Sequence, residues 1–383
     1  MRKSANAPLL RLLNAQTVFD VIRRERPISR AEVARLTGMA KPTVSNVLSD
    51  LLQAGLVRES ADGVARQRGN TFEPVPEAAY VLGVDVGARF LRAALADLSG
   101  TVHARGAVPH GGDTAQLPDL ALGLRNRLLE EAGVVLPALE ATVIGVPGII
   151  NPEDGKIWRL NPERTETYPI VAAMERSLGH PAVVENDINL AAIGEQWRGL
   201  AAGVDDFVFL SIGTGVGMGL VLRGRLHRGH RGAAGEVDLP GDAASAAEHA
   251  MLTYAAEHHG LRDTSPEEIF ARAAAGDPAA IAVRSEQARR IAAYIRPIAR
   301  ITDVELVVLG GGIGIHCQEL LEEVRTELER CVHYPPRLEI SALGDTPVLV
   351  GALALGIQDC ASRLVASRLR GENEEAPAAD QLG

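Results

Sequence analysis

The stretches YVLGVDVGARFLRAALADLSGTV (residues 80–102) and DFVFLSIGTGVGMGLVLRGRL (residues 206–226) repeat one design about 125 residues apart. Each reads as an apolar strand, a Gly-containing bend, a second strand, a turn and a third strand. Gly87 marks the first bend, after Asp85, and Gly213-Thr214-Gly215 the second. Glycine lets the chain approach a ligand closely and point its backbone amides at an anion such as phosphate. A third cluster, ELVVLGGGIGIH (305–316), ends an apolar strand and opens a helix at Gly311 and Gly312. One such cluster is common punctuation; three in this order are informative.

A duplicated meander with facing Gly-rich bends is the pattern of an α/β fold, the actin-like, ribonuclease-H-like ATPase architecture of two lobes. The reading places the first lobe at residues 78–195 plus 345–368 and the second at 196–344. Such loops bind nucleotide phosphates, yet the first bend carries Ala88 and Arg89 where a second Gly and a hydroxyl are expected. That exchange removes a donor and adds bulk, although a guanidinium can still pair with phosphate. Half an ATP site remains.

Ahead of the body, residues 1–76 read as a winged helix-turn-helix. In ISRAEVARLTGMAKPTVSNVLSDLLQAGLVRES (28–60), Ser29 and Glu32 form a capping box, Gly38 ends the first short helix, and Pro42 sits in the first turn of a second. Val44, Val47, Leu48, Leu51 and Leu52 form its apolar face. Upstream, Val18, Val21 and Ile22 have the spacing of a third helix, and downstream two strands flank the turn Ala61-Asp62-Gly63. The other face of the second helix offers Lys41, Thr43, Ser45 and Asn46 to a major groove, and Arg66 and Arg68 on the wing suit a minor groove. The bland alternative, a solvated helix face, does not explain the charge. The first 70 residues hold 12 Lys and Arg against 6 Asp and Glu, whereas the whole chain holds 39 against 49. A basic head on an acidic body implies that only the head meets nucleic acid.

Cys317, Cys331 and Cys360 are widely spaced, and no CxxC occurs, so idle thiols in a reducing compartment are expected. No run approaches the roughly 20 apolar residues that span a bilayer, so a cytoplasmic protein without a membrane partner is expected.

The motifs resemble those of the ROK family of repressors and sugar kinases, in its regulator branch with an N-terminal winged helix-turn-helix. They are DVGARF, IGVPGIINPEDG (144–155), VENDINLAAIGE (184–195), SIGTGVGMGLVLRGRLHRGHRGAAGEVD (211–238), VVLGGGI and LVGALALG (349–356), and the resemblance runs over about residues 14–365. It implies that Asp187 is the general base in a kinase, or a sugar-hydroxyl acceptor in a sensor. It implies further sugar contacts from Gly148, Asn161, Asn186, Glu236 and Glu248. A surface or helix-capping carboxylate explains Glu248 equally well.

The family continues after the Gly-Glu of GEVD with Gly and a His that joins both sugar and zinc, so a sugar contact is lost here together with the metal. Here Asp238 and Leu239 follow, and GDAASAAEHA (241–250) replaces the C-x-C-G-x-x-G-C metal motif. Neither zinc nor ATP is expected as a cofactor. The helices read from TSPEEIFARAAAGDP through RRIAAYIRPIARI are Ala-rich, carry no legible chemistry, and suit lobe packing and a subunit interface. Residues 371–383 have the composition of a disordered tail. The expected function is a sugar-controlled regulator, most simply a repressor, that binds double-stranded operator DNA as a dimer or tetramer. The alternative is an ATP-dependent sugar kinase with a DNA-binding head.

Overall fold

The computed structural model describes residues 6–60, 70–111, 114–151, 153, 157–158, 170–238, 241–314 and 317–371. The head is built from α1 (Asn6–Arg24), β1 (Ile28–Ser29), α2 (Arg30–Thr37), α3 (Lys41–Gln53), β2 (Val57–Glu59) and β3 (Thr71–Pro74). Ala15, Val18, Phe19 and Ile22 recur at helical spacing along α1 and are buried against Val44, Val47, Leu48 and Leu51 of α3. The Ser29 hydroxyl caps α2 by accepting the Glu32 amide at 3.3 Å. The reciprocal half of that capping box goes elsewhere, because the Glu32 carboxylate is taken by Arg35. Gly38 ends α2 at φ 68°, a left-handed conformation that favours glycine. The strands form a sheet of order β1-β3-β2 with Phe72 of β3 buried beneath it.

The body repeats one topology twice. Its first half holds β4 (Tyr80–Val86), β5 (Phe90–Asp97), β6 (Val102–Pro109), α4 (Leu117–Ala132), β7 (Leu139–Val146), the hairpin β8 (Ile149–Ile150) and β9 (Ile157–Trp158), α5 (Ile170–Leu178), β10 (Val183–Asn186) and α6 (Asp187–Arg198). Its second half holds β11 (Phe207–Ile212), β12 (Val216–Leu222), β13 (Arg225–Leu226), α7 (Glu248–His259), α8 (Pro266–Ala274), α9 (Pro278–Thr302), β14 (Leu306–Gly310), α10 (Gly311–Gly314), α11 (Leu321–Glu329) and β15 (Arg337–Ile340). The last helix, α12 (Pro347–Gly371), returns to the first half. The sheets have the orders β6-β5-β4-β7-β10 and β13-β12-β11-β14-β15, antiparallel through the meander and parallel beyond it. The two-lobed fold expected from the glycine bends is the fold observed.

Helix α6 lies between the sheets, with Ala191 and Ala192 in the core under β11 and β14, and Leu190 packed on Val143 of β7. Helices α7, α8, α9 and α11 cover the outer face of the second sheet. Residues Pro347–Leu369 of α12 are, by length and composition, long and apolar enough to cross a membrane, which corrects the expectation from apolar runs. More than half of that stretch is buried inside the protein. Leu353, Ile357, Cys360, Leu364 and Val365 share one continuous core with Phe19, Ile22 and Leu51 of the head. Arg368 adds polar ties, donating to the carbonyls of Ala54 at 3.0 Å and Ala78 at 3.1 Å.

Leu364→Ala is expected to lower stability by about 2–4 kcal/mol, the usual effect of emptying a large aliphatic site. Urea unfolding monitored at the head and at the body is expected to show both probes shifting together.

Candidate functional site

Asn186 and Asp187 stand where β10 ends and α6 begins. The Asn186 side chain caps α6 by accepting the Asn189 amide at 2.9 Å, and its amide nitrogen donates to the Gly148 carbonyl at 3.1 Å. It thereby fastens the Pro147-Gly148 loop, in which Gly148 has φ 126°, to the helix. Beneath them the buried Glu185 accepts from the Asn186 amide and the Asn189 side chain, each at 3.0 Å, and receives Arg228 Nε at 2.6 Å. Asp187 occupies the first turn of α6, where its carboxylate accepts the Ile188 amide at 2.9 Å and faces the positive end of the helix dipole.

Asn186, Asp187, Pro147 and Gly148 form one wall of a cleft of about 670 Å³ between the lobes. The cleft also gathers Asp85 and Gly87 from the first bend, Gly213, Thr214 and Gly215 from the second, Glu236, Glu248, and Gly311 with Gly312 from the third. Every site residue expected from the sequence of the body therefore converges here, except Asn161, which lies outside the described residues. Asp85 is 5% exposed, and burial first, then the charge of Asp187, push its carboxyl up to about 7 against the pull of Arg92 Nη1 at 3.4 Å. Glu236 is raised as well, by desolvation at the cleft wall and by Asp187. A ring of carboxylates and amide groups like this can accept hydrogen bonds from several hydroxyls of a polyol.

The nucleotide loops are unequal. Gly87 donates to the Phe90 carbonyl at 3.1 Å, and its own carbonyl receives His110 Nε2 at 2.7 Å, so the first bend is tightly braced. Its tip, Ala88-Arg89-Phe90, is exposed and offers no hydroxyl. In the second loop Gly213 donates to Gly215 at 3.0 Å, and its carbonyl takes the Glu248 amide at 2.8 Å, setting Glu248 at the start of α7. Gly311 adopts φ 81°, and a side chain there would in addition overlap the backbone of Ile212, so both the torsion and the space favour glycine. Among the described residues no group of three or more His, Cys, Asp and Glu could hold a metal ion. Cys331 is exposed and Cys360 buried.

On the head, Lys41 and Asn46 are exposed and Thr43 and Ser45 half-buried on α3. Thr43 and Asn46 line a groove with Arg11 and Asn14 of α1 and with Ser49 and Asp50. Arg11 holds the Asp50 carboxylate through two contacts of 2.9 and 2.8 Å. Arg66 and Arg68 lie outside the described residues. Sequence reasoning missed Arg11, Ser49, Arg92 and Asp345. Ser49 follows Ser45 by one helical turn and so was visible in principle; Arg11 and Arg92 enter only through pairing with Asp50 and Asp85, and Asp345 only through its place in the lining of the cleft.

A basic winged head on a two-lobed, sugar-kinase-like body defines the class of protein. The ROK family pattern matches residues 81–238 and 243–359, and the MarR family pattern matches residues 17–67 of the head. The chain belongs to the ROK family. It is 25% identical to the xylose repressor of Caldicellulosiruptor bescii, over 93% of this chain and 98% of that one. A crystal structure described as a ROK family transcriptional regulator, homologue of the E. coli MLC protein, superposes with a TM-score of 0.75 at 22% identity, covering 94% of this chain and 99% of that one. A ROK family glucokinase from Streptomyces griseus in complex with glucose and AMPPNP gives a TM-score of 0.63 at 25% identity, covering 73% and 100%.

The raised Asp85 carboxyl has a stability consequence. The unfolded chain releases this proton near the ordinary carboxyl value of 3.8, whereas the folded chain holds it to about 7. Its contribution is therefore complete below about pH 4 and is lost as pH rises through about 7. Asp85→Asn is expected to gain on the parent protein by about 1–3 kcal/mol between pH 4 and pH 8 in urea midpoints. An equal effect at both pH values would refute the assignment.

Proposed function

We propose that this chain is a transcriptional repressor whose winged head binds double-stranded operator DNA and whose cleft binds a sugar that releases it. The observation that carries this reading is the pairing of a carboxylate-rich wall, suited to sugar hydroxyls, with a reduced phosphate grip, on a chain with a basic head. Asn186, Asp187, Gly148, Glu236 and Glu248 are together in the cleft, while the first bend has lost its hydroxyl. In the second loop the Val216 amide is engaged by Asp238 at 3.1 Å, which sets a negative charge beside the path of a phosphate. Phosphoryl transfer needs a full clamp on the transferring charge. Asp187 then serves as an acceptor for sugar hydroxyls, and no ATP or zinc takes part. The relatives point the same way, one of them being named a xylose repressor.

Release requires only that the sugar bind one arrangement of the lobes better than the other, by about 1.4 kcal/mol for each tenfold loss of operator affinity. Two heads related by a twofold axis read a palindromic operator with half-sites about one helical turn apart, so the active species is a homodimer in the cytoplasm.

Gel-shift titration with the DNA upstream of the gene, with and without D-xylose, D-glucose and N-acetyl-D-glucosamine, tests the reading. Asn46→Ala is expected to cost about 1–3 kcal/mol at the operator and little on random duplex, whereas Lys41→Ala lowers the salt slope by about one. Sustained sugar-dependent ADP release by the intact chain, abolished in Asp187→Asn, would show an enzyme instead.

A further inference from the structure

The family's zinc motif has no counterpart in the chemistry of this chain. Between residues 238 and 250 the only side chains with donor atoms suited to a metal are Asp238, Asp242, Glu248 and His249. Asp238 is already engaged on both oxygens. No thiolate is present in the segment, and these residues form no metal-binding group. Within it, the residues just before Glu248 are packed into the protein. Ser245, Ala246 and Ala247 are buried, so their backbone carbonyls are removed from water and must find partners.

We propose that a polar stripe on α9 replaces the metal, with Gln287, Arg290 and Tyr294 acting as positioning residues for Glu236 and Glu248. The three recur at i, i+3 and i+7 and share one helical face. Gln287 is 1% exposed and donates to the Ala246 carbonyl at 2.7 Å; Arg290 is 7% exposed and donates to the Ser245 carbonyl at 2.9 Å. Tyr294 donates its hydroxyl to Asp238 at 2.7 Å, and the other oxygen of Asp238 accepts the Val216 amide. Arg290 is fixed in turn by Glu286 at 3.0 Å and lies 5.0 Å from the centre of the Tyr254 ring on α7. The clamp thus grips the segment at Asp238, two residues after Glu236, and at Ser245 and Ala246, just before Glu248. Both carboxylates reach the cleft from the ends of a strap that α9 holds down. Helix α9, expected from the sequence to serve lobe packing and a subunit interface, thus also presents a polar stripe.

The clamp does not depend on which ligand fills the cleft, so its test uses none. Elemental analysis of the purified full chain, after incubation with zinc and dialysis, is expected to find well under one zinc per chain; a firmly held equivalent overturns the proposal. Hydrogen exchange read by mass spectrometry supplies the second arm. In the double variant Gln287→Leu, Arg290→Met, peptides covering 238–250 are expected to exchange about tenfold faster while β4, α6 and the head keep their protection. Arg290→Lys is expected to restore part of that protection, and carbodiimide labelling of Glu248 is expected to quicken in the double variant alone. Unchanged exchange in a folded double variant, or loosening of 238–250 by EDTA in the parent protein, refutes the clamp. If the double variant does not fold, Tyr294→Phe decides, through faster or unchanged exchange at Val216.

Discussion

Helices α6 and α12 cross with their backbones in contact, and the cleft, the second lobe and the head are all built on that crossing. A Cβ on Gly351 would overlap the Leu190 carbonyl, and one on Gly194 would overlap the Pro347 carbonyl, so glycine at both positions sets the approach. The N-terminal turn of α6 carries Asp187 into the cleft. At its other end the fully buried Glu195 accepts from the Ser341 hydroxyl, after β15 of the second lobe, and from the Leu200 amide at 2.9 Å. A buried carboxylate is tolerated only when hydrogen bonds replace its water, and here those bonds tie α6 to the second lobe.

The same crossing carries the head. Beyond Gly351, α12 passes into the core formed by α1 and α3, and its Arg368 donates to the Ala54 carbonyl at the C-terminal cap of α3. A cation there satisfies an orphan carbonyl and faces the negative end of the helix dipole. Helix α3 is thus finished by a residue of the body. Close-packed joints of this kind do not deform smoothly, so a change in lobe angle must be absorbed as a shift between packed arrangements. A head tethered only by a flexible linker would feel no such constraint.

Much of this was legible in the sequence because it is local. Gly-rich bends between apolar strands announced the duplicated meander, and Ser29, Gly38 and Pro42 announced the helix-turn-helix by capping chemistry that acts over three or four residues. Asn186 and Asp187 were legible through a motif. What was not legible depends on elements distant in the chain. Arg92 reaches Asp85 only through the register of β4 with β5. Arg11 reaches Asp50 across 39 residues. Asp238 looked like the loss of a family glycine, and its role becomes visible only with Tyr294, 56 residues on, in place. The length and apolarity of α12 are equally ambiguous in one dimension, since a helix buried on several sides and a membrane span share a composition.

The electrostatics of the cleft sort the ligands it can hold. Asp85, Asp187, Glu236, Glu248 and Asp345 face one volume with Arg89 and Arg92, and Arg92 already leans on Asp85 and on the Phe90 ring at 5.7 Å. A carboxyl pushed up to about 7, by burial first and then by the charge of Asp187, records a volume that is poorly solvated as well as negatively charged. A triphosphate entering it meets like charges without a hydroxyl on the first bend to offset them, and in a partly desolvated site that repulsion is weakly screened. An uncharged sugar has no such penalty, because each carboxylate that repels phosphate is an acceptor for a hydroxyl. The exchange to Ala88-Arg89 at the first bend removes a hydroxyl and adds a cation, while the carboxylates that can accept hydroxyls of a neutral polyol stay in place around the cleft.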